Sequence, residues 1–464
     1  RHRCLAAARS RHHIGAGGRG PDSRRAEHRI DHGPSGVPIP KPTYIQSVFD
    51  LYIAPSYPGS VPFQLDTPPE GLYPITGVKS LPLNVSVQQG IQILAASIAE
   101  QVAAGNTATV FGYSQSAIIS SLIMSQLPQG TPVNFVLVGN EMNPPNGGML
   151  SRFPGLNLPS LGLPFYGATP EKNAFPTTNY TLEYDGFADF PRYPLNVLSV
   201  LNAGLGIIFV HTKYADLTSQ QVNSAIPLPT TDPSQKYYII PTSNLPLLEP
   251  LRLLPVIGNP VADLLQPALK VIVNLGYGDP PQYGWSTNGF ANQQTTFGFI
   301  PPDVNWGQVA NLFVAGIGQG LHDFAADVSP GGGVMWQELA ALKLPTPGPA
   351  PAFPTPPTGV ISALQTVITD VAYTISNSAA ALYAAALPTA DIVNAIVTML
   401  PAYGINLFLS GIEQALSGDV INGLVNAIGL PIAAATGLVT TAGLIEALVL
   451  IQAVQGFLGQ ETNV

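Results

Sequence analysis

Apolar and polar residues alternate along residues 33–290 in blocks of two kinds. In one block, apolar positions recur every three or four residues behind a capping box at Ser86-Val87-Gln88-Gln89, which predicts an amphipathic helix. The other kind consists of near-continuous β-branched and aromatic runs, which predict buried strands at residues 107–111 and 133–138, with further strands at 180–184 and 236–240. The alternation of helix and strand predicts an α/β fold with a mostly parallel sheet.

A serine stands where the first of these strands gives way to a helix, in the stretch Gly112-Tyr113-Ser114-Gln115-Ser116. A nucleophile on so sharp a turn needs small residues two positions away on both sides, and Gly112 and Ser116 are small. The N–H of Gln115 then points at a developing oxyanion. We predict that Ser114 is a nucleophile and that Gln115 supplies half of its oxyanion hole; the structural alternative is a helix-capping serine.

A nucleophilic serine needs an imidazole to take its proton and a carboxylate to orient that imidazole. Beyond residue 32 the sequence has two histidines, His211 and His322. The chain order Ser, acid, His of α/β-hydrolases favours His211. The loop at 184–191 offers two acids. We predict Asp189, because its Gly-x-x-Asp-x-Pro setting turns the carboxylate toward the sheet edge; Asp185 is the alternative acid and otherwise shapes the turn.

Composition excludes several classes of function. With 464 residues, of which 46% are hydrophobic, the chain buries a sizeable core. Its net charge of -9 leaves no basic stripe for nucleic acid, so we expect no nucleic-acid partner. The single cysteine, Cys4, rules out a disulfide framework and a cysteine-based metal site. Ser-Asp-His chemistry also needs neither a metal nor a cofactor, and we expect none.

Residues 1–32 differ from the rest of the chain. They hold eight of the 18 Lys and Arg residues and show no apolar periodicity. The longest apolar stretch, Leu5-Ala6-Ala7-Ala8, is too short for the centre of a signal peptide. We therefore expect a disordered or misassigned basic arm at 1–32, followed by the α/β domain with its extension at 33–344.

A proline-rich stretch at 345–358 is predicted to be an extended linker. Beyond it, residues 359–464 contain no Lys or Arg, and residues 420–445 carry no charge at all. That uncharged run is long enough to cross a bilayer, but Asn, Pro, Gly and Thr dilute its apolarity. We favour packed or membrane-surface helices over a transmembrane span, so 359–464 is predicted to be a helical apolar region that can associate with a membrane or cell envelope.

Six ordered blocks in residues 33–290 resemble the PE-PPE C-terminal domain of mycobacterial envelope proteins, a serine-hydrolase branch similar to cutinases. They are Gly33 to Pro38, Gly112 to Ser116, Gly139-Asn140 with Asn143 to Gly148, Arg152 to Gly155, Tyr184 to Pro191, and Asn202 to His211. The resemblance implies an α/β-hydrolase (cutinase-like) fold, a triad of Ser114, Asp189 and His211, and esterase activity on acyl esters or lipids. It also implies a cell-envelope or secreted location.

The resemblance leaves two alternatives to an esterase. Similar proteins include acyltransferases that build trehalose lipids, and a non-catalytic envelope surface protein or antigen is the third possibility. Ser35 matches a turn residue that completes the oxyanion hole. The family, however, begins with an apolar strand before that turn, whereas His28-Arg29-Ile30-Asp31-His32 stands here. We therefore expect the first strand to be lost or replaced.

Overall fold

A mixed sheet of seven strands lies at the centre of the computed structural model, which describes residues 27–31, 34–144, 147–278, 282–287, 289–331, 333–342 and 360–457. The strand order is β2-β1-β3-β4-β7-β9-β8, and only β8 runs antiparallel to its neighbour. A short hairpin, β5-β6, stands apart. The strands are β1 (Glu27–Asp31), β2 (Val61–Leu65), β3 (Thr107–Tyr113), β4 (Val133–Val138), β5 (Asn157–Leu158), β6 (Leu163–Pro164), β7 (Thr177–Leu182), β8 (Ile226–Leu228) and β9 (Gln235–Ile240).

Helices connect the strands and cover the sheet. They are α1 (Pro42–Val48), α2 (Leu83–Ala103), α3 (Gln115–Ile123), α4 (Met149–Arg152), α5 (Val197–Phe209), α6 (Ser219–Asn223), α7 (Glu249–Arg252), α8 (Gly258–Asn274), α9 (Trp306–Asp327), α10 (Val334–Ala341), α11 (Val360–Asn394), α12 (Leu400–Leu416) and α13 (Val420–Phe457). Five shorter turns of 3-10 or π helix lie at Phe49–Ile53, Pro159–Leu161, His211–Asp216, Pro246–Leu248 and Ala395–Met399.

The predicted fold class is confirmed: a mostly parallel sheet with connecting helices is followed by a helical apolar region. The four predicted strands correspond to β3, β4, β7 and β9. Strand β3 is buried along almost its whole length, and β4 along all of it. Tyr113 pairs with Val138, and Val138 pairs with Tyr180, so the carboxyl ends of β3, β4 and β7 lie at one edge of the sheet. Side chains that follow these strands therefore converge.

Of the two expected possibilities, a lost or a replaced first strand, the structure shows a strand of mostly polar residues in that place. Residues 27–31, which we placed in a disordered or misassigned arm, form β1 between β2 and β3. Residue Asp31 pairs with Phe111 of β3 and with Leu65 of β2. A parallel ladder is made by backbone N–H and C=O groups, so a segment without an apolar pattern can still pair. The rest of the predicted arm, residues 1–26 and 32, lies outside the described residues.

The predicted capping box at Ser86 to Gln89 is wrong. Helix α2 begins three residues earlier, at Leu83, with Pro82 as its N-cap. Ser86 therefore lies inside the first turns of the helix and is buried. Its hydroxyl donates to Gln115 Oε1 at 2.6 Å, so it supports the nucleophile turn instead of starting a helix.

The C-terminal helices pack on the α/β domain. Ala433 and Ala434 of α13 are fully buried in the main core. A Cβ on Gly204 of α5 would lie 2.1 Å from Leu444 Cδ1, which shows how closely α5 and α13 approach. The hydroxyl of Tyr73 donates to Asp391 Oδ2 of α11 at 2.7 Å. The predicted linker at 345–358 lies outside the described residues.

Two stretches in this region are long and apolar enough to cross a membrane, Leu364–Leu416 and Val420–Gly456. In the most apolar window of each, 17% and 22% of the residues are buried inside the protein. Length and composition alone establish no more than this capacity.

Candidate active site

Ser114 lies on the sharp turn between β3 and α3, as the N-cap residue of the helix. Its φ of 57° and ψ of -124° are an unusual conformation for a residue with a side chain. Its N–H donates to Val138 O of the neighbouring strand at 3.2 Å, which ties the turn to β4. The side chain is almost completely buried. This is the strained strand-to-helix geometry of a nucleophile elbow.

Small residues on both sides make this turn possible. A Cβ on Gly112 would lie 2.8 Å from Ser116 O and 2.8 Å from Ser120 Oγ, so no larger residue fits there. The Ser116 hydroxyl is engaged on the other side, where it accepts from Tyr113 N and donates to Tyr113 O, each at 2.8 Å. These two bonds fix the backbone on either side of Ser114.

His211 reaches the same edge of the sheet from the short helical turn after α5. Its Nδ1 lies 2.8 Å from Asp185 Oδ2 and 2.9 Å from Asp185 Oδ1. The imidazole packs against Phe187 and Tyr113, with ring centroids 4.9 and 5.4 Å away. A Cβ on Gly139 would lie 2.9 Å from His211 Cε1, so the end of β4 also touches the ring. The imidazole is thereby fixed beside the residue that precedes Ser114.

Asp185, and not Asp189, is the carboxylate beside His211. Asp185 follows β7 by three residues and also accepts from the Tyr214 hydroxyl at 2.7 Å and from Phe187 N at 3.0 Å. Asp189 turns away from the imidazole, because its Oδ2 accepts from Tyr184 N at 2.9 Å. The N–H of Asp189 donates to Asp185 O at 2.6 Å, which closes the turn and aims the two carboxylates in different directions. The structure therefore brings Asp185, the alternative acid, to the imidazole and does not bring Asp189 there.

The charge of Asp185 changes the basicity of His211. Burial disfavours the imidazolium, but the Asp185 carboxylate, its hydrogen bond and the charge of Glu141 together outweigh burial, so the pKa of His211 is raised above its ordinary value. His211 Nε2 is buried and has no hydrogen-bond partner in the described part of the chain. It is the free acceptor that a proton-abstracting imidazole needs. The other candidate, His322, lies exposed on α9 with its Nδ1 at 3.3 Å from Asp323 Oδ1.

Gln115 is the first residue of α3, where a helix N–H has no partner within the helix. Its side chain ties the turn to two loops, because Nε2 donates to Ser35 Oγ before α1 at 3.2 Å and to Gly71 O between β2 and α2 at 2.7 Å. The structure thus brings both predicted oxyanion residues, Gln115 and Ser35, to the nucleophile turn.

Sequence reasoning missed Glu141. The Ser114 hydroxyl donates to Glu141 Oε1 at 3.3 Å, and the Glu141 side chain is buried. Burial raises the pKa of Glu141 to about 7, although the nearby His211 and the Ser114 hydroxyl oppose the shift. The available signal was positional: Glu141 follows β4 by three residues, just as Asp185 follows β7.

A second buried carboxyl lies close to Glu141. Glu70 is completely buried, and neither of its carboxyl oxygens has a hydrogen-bond partner among the described residues. Burial, and the charge of Glu141 after it, raise the pKa of Glu70 well above its ordinary value. Among the described residues, no group of three or more His, Cys, Asp and Glu side chains is placed to hold a metal ion.

The sequence of this site matches a known domain. Residues 58–278 match the PE-PPE domain model, which confirms the resemblance stated above. An uncharacterized PPE family protein of Mycobacterium tuberculosis, PPE28, is 50% identical over 91% of this chain and 65% of its own length. Esterase PE16 of the same organism is 44% identical over 59% of this chain and 51% of its own length.

This chain therefore spans between half and two thirds of the length of these two relatives. Among solved structures, it is similar to a cutinase-like protein from Cryptococcus sp., with 17% sequence identity and a TM-score of 0.25. That similarity covers 35% of this chain and 79% of the other.

Proposed function

We propose that this chain, whose residues 58–278 match the PE-PPE domain model, is a serine hydrolase that cleaves acyl esters through an acyl-enzyme on Ser114. The observation that carries the proposal is the meeting of three features at one sheet edge: the strained Ser114 turn, the buried His211, and the Asp185 carboxylate at 2.8 Å from its Nδ1. A relative named as an esterase, PE16, supports the same reaction class.

In the proposed reaction, the Ser114 hydroxyl turns from Glu141 to His211 and attacks the ester carbonyl. Nε2 takes the hydroxyl proton while the Ser114 Oγ–C bond forms, and it then gives that proton to the leaving alcohol as the ester C–O bond breaks. Asp185 holds Nδ1–H and stabilises the imidazolium that exists between these two transfers. The N–H of Gln115 and the Ser35 turn stabilise the negative carbonyl oxygen.

The packing around Asp185 fits the role of an orienting acid. The carboxylate accepts hydrogen bonds from Tyr214, Phe187 and Ala188 in addition to His211. These partners keep it in place while the imidazole gains and loses its proton, and a positioned base is worth about 10²–10⁴ in rate.

A fluorophosphonate probe tests the proposal directly. We expect the wild-type chain to form an adduct on Ser114, located by mass spectrometry, and to release p-nitrophenol from p-nitrophenyl esters. His211→Ala and Asp185→Asn should slow both reactions strongly, whereas Asp189→Asn should not. A folded wild-type chain that forms no adduct on Ser114 would overturn the proposal and favour a non-catalytic envelope protein.

Transfer of the acyl group to another alcohol is the alternative fate of the same acyl-enzyme. Product analysis with and without a trehalose acceptor separates the two reactions, since hydrolysis gives free acid and transfer gives a new ester. The apolar stretches Leu364–Leu416 and Val420–Gly456 support a location at the cell envelope, where acyl esters are concentrated. Fractionation of mycobacterial cells expressing the chain tests that location, and recovery in the cytosol alone would contradict it.

A further inference from the structure

The Ser114 hydroxyl is held by a carboxyl group that a Ser-Asp-His triad does not require. It donates to Glu141 Oε1 at 3.3 Å, while His211 Nε2 has no hydrogen-bond partner among the described residues. Glu141 and the His211 imidazole are also close enough to interact electrostatically. In the resting structure the acceptor beside Ser114 Oγ is the Glu141 carboxyl, and in the proposed reaction the imidazole Nε2 is the second acceptor.

Acylation changes what Glu141 contacts. When Ser114 Oγ becomes part of an ester, it has no hydrogen left to donate, so Glu141 Oε1 loses the hydrogen bond that it accepts from Ser114 in the resting structure. A buried carboxylate oxygen without a hydrogen-bond donor is unfavourable, so a molecule that can donate a hydrogen bond to it is bound preferentially at this position. After acylation, the next molecule to enter the site is the one that attacks the acyl carbonyl carbon, which is bonded to Oγ.

Water satisfies both acceptors, whereas a simple alcohol does not. A water molecule has two hydrogens and can donate one to His211 Nε2 and the other to Glu141. An alcohol with a single hydroxyl has one hydrogen, so binding at His211 leaves Glu141 unpaired. The geometry at Ser114 therefore favours water over a monohydric alcohol as the attacking group.

We infer that Glu141 is a further catalytic residue, which orients the water that hydrolyses the acyl-enzyme; the inference rests on the proposed function. The water oxygen forms a bond to the acyl carbon, and one water hydrogen passes as a proton to Nε2. The C–Oγ bond then breaks, and Nε2 returns that proton to Ser114 Oγ. The other water hydrogen leaves with the carboxylic acid, which ionises in bulk solvent.

The test is how the acyl-enzyme partitions between water and 1-propanol, with p-nitrophenyl butyrate as substrate. Butyric acid and propyl butyrate are quantified by gas chromatography in wild type, Glu141→Gln and Glu141→Leu. We expect the ratio of acid to propyl ester to fall by about tenfold or more in Glu141→Leu, since a hydrogen bond to a charged group is lost. Glu141→Gln keeps one acceptor oxygen and should fall between the other two.

The matched control is Glu70→Gln, which removes the neighbouring buried carboxyl but leaves Glu141 and its contact with Ser114. We expect it to leave the partition ratio at the wild-type value. An unchanged ratio in Glu141→Leu, or the same fall in Glu70→Gln, would overturn the inference. Failure of the proposed function is distinguishable, because the wild-type chain would then form neither product nor a fluorophosphonate adduct on Ser114. Adduct formation also reports that each variant is folded, since it does not require hydrolysis of an acyl-enzyme.

Discussion

Replacing Glu141 by glutamine should stabilise the protein increasingly as the pH rises from about 4.5 to about 7. Burial raises the pKa of this carboxyl from 4.5 to about 7. Between these values the folded chain keeps a proton that the unfolded chain has released, so stability falls as the pH rises through this window and levels off above about pH 7. At about 1.4 kcal/mol for each pKa unit, the loss amounts to roughly 3 kcal/mol.

Glutamine has nearly the same shape as glutamate and cannot ionise, so the variant escapes this loss. We expect thermal unfolding of Glu141→Gln at pH 8.5 to occur about 6–12 °C above that of the wild type, using about 2–4 °C for each kcal/mol in a domain of this size. At pH 5 the wild-type carboxyl is still protonated in the folded chain and most of this loss has not yet occurred, so the two proteins should unfold within about 3 °C of each other.

Differential scanning calorimetry at the two pH values measures both quantities. The control is Glu100→Gln on α2, which removes one negative charge at an exposed position. We expect it to change the unfolding temperature little at either pH. The reasoning would be refuted if Glu141→Gln gave the same shift at pH 5 as at pH 8.5, because a pH-independent effect reports packing and not ionisation.

Three further predictions concern the site and its surroundings. Asp185→Asn should lower kcat for p-nitrophenyl esters by roughly 10³–10⁴, whereas Asp189→Asn should leave kcat within about threefold of wild type, since a residue that does not contact the imidazole contributes mainly to stability; equal losses in the two variants would contradict the assignment. Gly139→Ala places a Cβ at 2.9 Å from His211 Cε1 and forces a side chain into a φ of 56°, so kcat/KM should fall by about 10² as the imidazole moves. Tyr73→Phe removes the 2.7 Å hydrogen bond to α11 and should lower the free energy of unfolding by about 1 kcal/mol without changing kcat. A large fall in kcat would contradict this and connect α11 to catalysis.

The sequence pattern predicted the sheet best where strands are buried on both faces. Strand β4 is buried at every position and reads as an unbroken apolar run, and β3 is nearly the same. Strand β1 has no such signal, because Glu27-His28-Arg29-Ile30-Asp31 is mostly polar. What places it is the free hydrogen-bonding edge of β3, a property of the folded sheet that no local pattern contains.

Contacts between distant segments also decided where α2 begins and what Ser86 does. Ser86 and Gln89 stand at the spacing of a capping box, but the helix begins earlier, at Leu83, with Pro82 as its N-cap. Ser86 is instead placed to bond Gln115 of a different helix, and Gln115 to bond Ser35. Contacts between segments far apart in the chain decided the role of each of these side chains. The Ser114 turn was predictable because its requirements, small neighbours and a strand before a helix, are all local.

The choice of acid shows where a local pattern stops being sufficient. Both Asp185 and Asp189 lie on the loop after β7, and the preference for Asp189 came from the residues around it. What separates them is distance from the strand end: in a parallel sheet the first residues after each strand lie at the common edge, and Asp185 follows Leu182 by three residues whereas Asp189 follows it by seven. The same rule applied to β4 selects Glu141, three residues after Val138, which bonds the Ser114 hydroxyl. Position relative to strand ends, combined with chain order, therefore selects Asp185, the proposed acid, and Glu141, a carboxyl that has no role in a Ser-Asp-His triad.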